Sequence, residues 1–206
     1  MEQEDVAKVV VFDLNGTFYN KSSKEEFFKF ICKKRPNRLK YIFEMSYYNL
    51  QMKFNQIRQT EFKENFFNYL DGLPPSKVEE YAKEFWEQEY PGEFNNELKK
   101  IFDDAKKSGS LLICATGGFE LYVKPLFDIY KIDGMVGTKV DYDGDTYKVV
   151  GEACKEEEKI KRIEQLLKGK PFKIVEAYSD SKEAILDEAE RAYYIKDKAI
   201  LPYNNK

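Results

Sequence analysis

The sequence predicts an α/β fold: a mostly parallel, doubly wound sheet with a bundle of helices inserted after its first strand. Three observations carry that prediction. Val9-Val10-Val11-Phe12 is a continuous apolar run that ends on Asp13-Leu14-Asn15-Gly16-Thr17, the pattern of a strand buried on both faces and closed by a glycine turn. Residues 20–96 show helical periodicity without strand alternation. From residue 95 onward, helical segments alternate with short apolar runs, which implies parallel strands covered on both sides by helices. At 206 residues, the chain is long enough for one well-buried domain plus a small insertion. The expected division is a core of residues 1–19 and 97–206 and a helical cap of residues 20–96.

Within the insertion, Ser23 and Glu26 have capping-box spacing, and Phe27, Phe30 and Ile31 follow on one face. Leu39, Ile42, Phe43, Ser46, Tyr47 and Leu50 recur at intervals of three and four, the expected inward stripe of a second helix. A third helix carries Phe62, Phe66, Tyr69 and Leu70 and stops at Asp71-Gly72. A fourth, capped by Ser76 with Glu79 three residues on, carries Val78, Tyr81, Ala82, Phe85 and Trp86 and ends before Pro91-Gly92. The next helix, with Leu98, Ile101, Phe102 and Ala105, runs to Gly109. Leu111-Leu112-Ile113-Cys114-Ala115 reads as a strand, and Gly117-Gly118 as its link to a helix over 122–130. Residues 135–140 and 146–150 read as short strands around Asp143-Gly144, a hairpin signal. A helix over 156–168, a strand over 173–178, a helix over 181–191 and a last strand over 192–195 complete the pattern.

Composition removes several classes of function. A formal net charge of -3 gives no basic footprint for nucleic acid. No apolar run approaches the roughly 20 residues that span a bilayer, and the acidic start Met1-Glu2-Gln3-Glu4-Asp5 is unlike a signal peptide. The expected location is therefore cytoplasmic. Cys32, Cys114 and Cys154 lack the close spacing of a zinc site and read as buried reduced thiols. Histidine is absent, which excludes Ser-His and Cys-His nucleophile mechanisms and His-ligated metals. In open α/β sheets ligands bind beyond the carboxyl ends of the strands, so Asp13 is the first place to expect chemistry.

The run ending at Asp13 resembles the first motif of the haloacid dehalogenase superfamily, whose phosphatases read Asp-x-Asp-x-Thr after a hydrophobic strand. Thr116-Gly117-Gly118-Phe119 resembles the second motif in its phosphoserine-phosphatase-like form, Glu157-Glu158-Lys159-Ile160-Lys161-Arg162 the third, and Ala177-Tyr178-Ser179-Asp180-Ser181 the fourth. The cap position and Glu120-Leu121-Tyr122-Val123-Lys124-Pro125 look like the subfamily that includes phosphoserine phosphatase and bacterial phosphatidylglycerophosphate phosphatases. The resemblance implies a Rossmann-like core and Asp13 as a nucleophile that forms an aspartyl-phosphate. It also implies Mg²⁺, held by the carboxylates of Asp13 and Asp180 and by the main-chain carbonyl of Asn15. By the same resemblance Thr116, Gly117, Gly118 and Lys159 bind the phosphoryl group, with Lys159 neutralising charge. Lys155 competes for that last role, and Lys159 is preferred because Glu157-Glu158-Lys159 keeps the motif's spacing.

Three positions depart from the pattern. Asn15 stands at the acid/base position, where an amide can neither protonate a leaving alcohol nor activate water. Ala184 replaces the second acid of the fourth motif, with Glu183 beside it as a substitute whose side chain would be turned by about 100° on a helix. Ser22 occupies the place of the substrate-binding glutamate of phosphoserine phosphatase. The cap holds about half the aromatic residues, most of them expected in its core. Lys33-Lys34-Arg35, with Arg38 and Lys40, is a solvated patch that can also meet anionic headgroups, so a substrate at a membrane surface stays open. The leading expectation is a Mg²⁺-dependent phosphatase or phosphotransferase acting on a small phosphorylated metabolite or lipid headgroup. The alternatives are a catalytically weakened phospho-ligand binding protein and a dehalogenase-like hydrolase. The sequence leaves the oligomeric state open.

Overall fold

The computed structural model describes residues 6–204, so the acidic segment 1–5 lies outside the described residues. Its six-stranded sheet has the order β3-β2-β1-β6-β7-β8. The strands are β1 (Ala7–Phe12), β2 (Leu111–Phe119), β3 (Gly134–Thr138), β6 (Phe172–Ser179), β7 (Arg191–Lys196) and β8 (Ala199–Pro202). β1 pairs in parallel with both β2 and β6, and only β8 runs antiparallel, at the edge. As the apolar run implies, β1 is buried on both faces. Val10 and Phe12 join one hydrophobic cluster and Val9 and Val11 the other. Strand order reverses around β1, so Asp13 lies at the switch point of the sheet.

Between β1 and β2 lie α1 (Ser23–Lys34), a 3₁₀ turn (Pro36–Tyr41), α2 (Ile42–Lys53), α3 (Gln59–Phe66), α4 (Pro75–Glu89) and α5 (Asn96–Lys107). The cluster containing Phe12 continues without a break through Phe27, Phe66, Phe85 and Trp86 of the insertion. Trp86 is fully buried, and its Nε1 donates to the main-chain oxygen of Tyr122 at 2.7 Å, tying α4 to the turn after β2. Phe67 and Phe119 stack with centroids 4.1 Å apart across the same joint.

Several local expectations are corrected. The stripe Leu39, Ile42, Phe43, Tyr47 and Leu50 faces solvent, Phe43 at 80% exposure, and Ser46 also lies outward. The inward face instead carries Met45, which is buried, and the partly buried Tyr41, Tyr48 and Met52. Ser23 does not cap α1 through its side chain, and α4 starts at Pro75 with Ser76 already inside it. Proline fits the first helical turn because the missing N–H would be unpaired there.

Gly117 and Gly118 belong to β2 and do not link it to a helix. The pairing of β2 with β3 jumps between Ala115 and Phe119, so Thr116-Gly117-Gly118 bows out as a bulge. The helix expected over 122–130 is two single turns, α6 (Glu120–Val123) and α7 (Leu126–Ile129), separated at Pro125, which has no N–H to continue the ladder. The strand expected over 135–140 divides: β3 joins the main sheet, whereas β4 (Val140–Tyr142) pairs with β5 (Tyr147–Val149) in the hairpin around Asp143-Gly144. The helix over 156–168 narrows to α8 (Glu157–Leu166), and that over 181–191 shrinks to the turn α9 (Ala184–Asp187). β8 was not expected. It follows β7 through Asp197 and Lys198, both at positive φ, a hairpin turn made without glycine or asparagine.

Candidate active site

Asp13 follows β1 directly, and its N–H donates to the Tyr178 carbonyl of β6 at 2.9 Å, which fixes the strand end. Asp180 leaves the neighbouring β6. Gly16, at φ 69°, lets the loop between β1 and α1 pass so close to Asp180 that a Cβ there would overlap its carboxylate. Asp13 and Asp180 line one cavity of about 280 Å³. Burial, and after it the charge of Asp13, raises the Asp180 carboxyl above the usual carboxylate range.

Lys159 comes from the first turn of α8 and is fully buried. Its Nζ donates to Asp13 Oδ1 at 2.7 Å and to Glu183 Oε2 at 2.6 Å. Burial alone would lower this lysine, but the two carboxylates outweigh it and hold the ammonium above the ordinary lysine range. Glu183 precedes α9 in an extended conformation, so the helical rotation expected to turn it away does not arise. Its Oε2 also accepts from Ser179 Oγ at 3.2 Å. Burial and then Asp13 raise its carboxyl, against the pull of Lys159.

Asn15 lines the cavity, and its Oδ1 accepts from the Ser23 N–H at 2.7 Å, holding the start of α1 against the loop after β1. Thr116 is fully buried, and its Oγ1 accepts from the Gly118 N–H at 3.1 Å. The Gly117 carbonyl accepts from Thr138 Oγ1 at 3.0 Å. The structure thus brings Asp13, Asn15, Gly117, Gly118 and Asp180 to the cavity wall. Lys159 reaches it through Asp13, whereas the Thr116 hydroxyl is engaged within the bulge. Lys155 also lines the cavity, from the segment before α8, where Glu156 takes a positive φ of 47° and turns the chain sharply between the two lysines.

Reading the sequence missed four wall residues from the insertion: Lys24 on α1, Gln59 and Lys63 on α3, and Phe67 just after α3. One signal was available. Gln59, Phe62, Lys63 and Phe66 fall at spacings of three, one and three, which puts Lys63 on the apolar face of its helix. Away from the cavity, the basic patch is partly engaged. Lys34 pairs with Glu84, Arg35 Nε donates to the Tyr81 hydroxyl at 3.3 Å, and Lys40 lies over the Tyr41 ring.

Among the described residues, no group of three Cys, Asp or Glu side chains is arranged to hold a metal. The Asp13 and Asp180 carboxylates, which both line the cavity, are hard oxygen donors of the kind Mg²⁺ takes. Burial and then the charge of Asp13 raise Asp180, and a bound cation would offset that repulsion.

The sequence model of the haloacid dehalogenase-like hydrolases matches residues 10–183, and the chain belongs to that family of hydrolases. Within it, the fold is that of the phosphoserine-phosphatase-like members. A Bordetella pertussis Tohama I protein of unknown function superposes with a TM-score of 0.79 at 16% identity, covering 91% of this chain and 89% of that one. A phosphoserine phosphohydrolase-like protein from Francisella tularensis gives a TM-score of 0.63 at 19% identity, covering 93% and 88%. A phosphoserine phosphatase structure described as a phospho-aspartyl intermediate analogue gives 0.56 at 16% identity, covering 91% and 86%. Among curated protein sequences, none matches this chain. No helix among the described residues is long and apolar enough to cross a membrane.

Proposed function

We propose that this chain is a Mg²⁺-dependent phosphohydrolase that acts through Asp13 on a small phosphorylated metabolite, with residues 20–96 as a substrate-facing cap on a core of 1–19 and 97–206. The observation that carries this reading is the buried Lys159 ammonium bonded to Asp13 and Glu183 beside the Asp180 carboxylate. In the first step an Asp13 oxygen bonds to phosphorus as the bond to the leaving oxygen breaks, giving an aspartyl-phosphate. In the second, water attacks that phosphorus and releases orthophosphate, regenerating the carboxylate. Lys159 orients Asp13 and offsets charge on the phosphoryl oxygens, which the cavity-lining bulge at Gly117 would also meet. Asp13, Asp180 and the main-chain carbonyl of Asn15 would hold Mg²⁺, which would supply the positive charge that lets a carboxylate approach a phosphate.

Asn15 favours a second reading, a phospho-ligand binding protein with slow turnover. Its amide replaces an acid/base function worth roughly 10² to 10⁴ in rate. The Asp180 carboxylate beside the nucleophile supports metal-assisted phosphoryl transfer over dehalogenase-like attack on carbon. The test is release of phosphate from an aryl phosphate, with and without Mg²⁺. Asp13→Asn should reduce activity to background while the thermal midpoint survives. Mg²⁺ should raise the midpoint of the unmodified protein by mass action, and Asp180→Ala should remove most of that rise. Activity that persists in pure Asp13→Asn protein sinks the aspartyl-phosphate mechanism. An equal Mg²⁺ effect in Asp180→Ala removes that residue from the metal site.

A further inference from the structure

The cavity holds more positive charge than a single transferred phosphoryl group needs. Besides Lys159, which is satisfied by Asp13 and Glu183, three lysines line it: Lys24, Lys63 and Lys155. Lys63 is only 7% exposed, and its ammonium makes no hydrogen bond or ion pair with any described residue. Its Nζ and the Cε of Lys155 both lie 3.2 Å from where a Cβ on Gly117 would stand, so the two side chains converge over the bulge of β2. Lys24 completes the group from α1, its Nζ 4.9 Å and 4.7 Å from the ring centroids of Phe62 and Phe66. A buried ammonium without an anionic partner is costly, and clustering like charges around it adds to the cost. Burial first, then Lys155 and Lys24, with Lys159 further off, push Lys63 down to about 7, against a small opposing effect of Cys154. Among the described residues no carboxylate forms an ion pair with Lys63, and Asp13 and Glu183 are bonded to Lys159.

We propose that Lys63, with Lys24 and Lys155, forms a subsite for a second phosphate group of the substrate, so that the enzyme acts on a small organic bisphosphate, one phosphate at Asp13 and the other on the lysines. This assignment rests on the phosphohydrolase reading. Three ammonium groups match a phosphate dianion and repel the ammonium group of a phosphorylated amino acid. A cavity of about 280 Å³ suits a short carbon skeleton.

Two experiments test the subsite, one with turnover and one without. In the first, kcat/KM is measured for propane-1,3-diol monophosphate and propane-1,3-diol bisphosphate. The bisphosphate should be preferred about 10- to 100-fold, the range for a hydrogen bond to a charged group. Lys63→Met should abolish most of that preference, chiefly through KM, and Lys155→Met should reduce it. An equal loss on both substrates would instead assign Lys63 to the transferred phosphoryl group or to leaving-group protonation, and overturn the subsite. In the second, Asp13→Asn protein is titrated calorimetrically with propane-1,3-bisphosphonate and with methylphosphonate at about pH 8, one unit above the value of Lys63. The bisphosphonate should bind more tightly and draw protons from the buffer as Lys63 becomes charged. Lys63→Met on the same background should lose both effects. Turnover without bisphosphate preference in either experiment overturns the subsite alone. Absent turnover with bisphosphonate preference retained overturns the phosphohydrolase reading alone.

Discussion

Asn15 is the residue on which the proposed rate turns. Its Oδ1 already accepts the Ser23 N–H, a bond that an aspartate oxygen makes equally well. Asn15→Asp should therefore keep the loop in place while adding a proton donor, and raise alkyl phosphate turnover by roughly 10² to 10⁴. Aryl phosphates of low leaving-group pKa should gain less in the first step. An unchanged alkyl rate, read from steady-state phosphate release, would favour the binding-protein reading. Lys63 gives a prediction in stability. Its folded value, about 7, lies below that of an unfolded lysine. Between the two values the unfolded chain holds the extra proton, so stability rises with pH across that window and the full burial penalty applies below it. Lys63→Met should thus stabilise the fold most at about pH 6, with the gain shrinking toward about pH 10. Urea unfolding of both proteins across that range checks it, and a difference independent of pH counts against a perturbed Lys63. Asp13, Lys159 and Asp180 were legible in the sequence because each follows a strand or opens a helix within a short pattern. Lys63 was not, because a lysine among aromatic residues on α3 reads as a flanking charge until the helix is set against Gly117.

At the scale of the element, α2 shows why a periodic pattern can name a helix and misplace its buried face. Residues 39, 42, 43, 46, 47 and 50 repeat at helical spacing, and so do Tyr41, Met45, Tyr48 and Met52. Only the second set packs inward. Spacing alone could not rank two stripes of similar apolarity; the contact α2 makes with α3 and the 3₁₀ turn before it decides. Because Phe43 is 80% exposed, Phe43→Lys should change folding stability by no more than about 0.5 kcal/mol. It should also lower the fluorescence of an apolar-surface dye bound to the native protein, and an undiminished signal would place the accessible apolar surface elsewhere. β8 escaped notice for a different reason. A turn at Asp197-Lys198 carries none of the usual glycine or asparagine signals, yet both residues adopt positive φ, held by pairing along β7 and β8. The hairpin at Asp143-Gly144 was legible because its glycine, at φ 105°, occupies a backbone region that side chains avoid.

Across the whole molecule, the alternation of strands and helices was readable from the sequence in outline, with β8 missed, but the continuity of core and insertion was not. One cluster of buried side chains runs from Phe12 and Leu112 on the sheet to Phe27, Phe66 and Val78 on the helices. Burial shared in this way couples the two parts, so heat should unfold the chain in a single transition, with the calorimetric and van't Hoff enthalpies equal. Two resolved transitions would show that the helices melt separately. The bond from Trp86 to the Tyr122 carbonyl has a further use. Trp86 is the single tryptophan of the chain, and its indole sits fully buried where α4 meets α6. Indole emission is therefore a one-site optical gauge of that joint, free of background from any other tryptophan. Loosening of α4 from the core would wet the ring and move its emission to longer wavelength, so a stopped-flow trace recorded as ligand enters would report whether α4 shifts against the core.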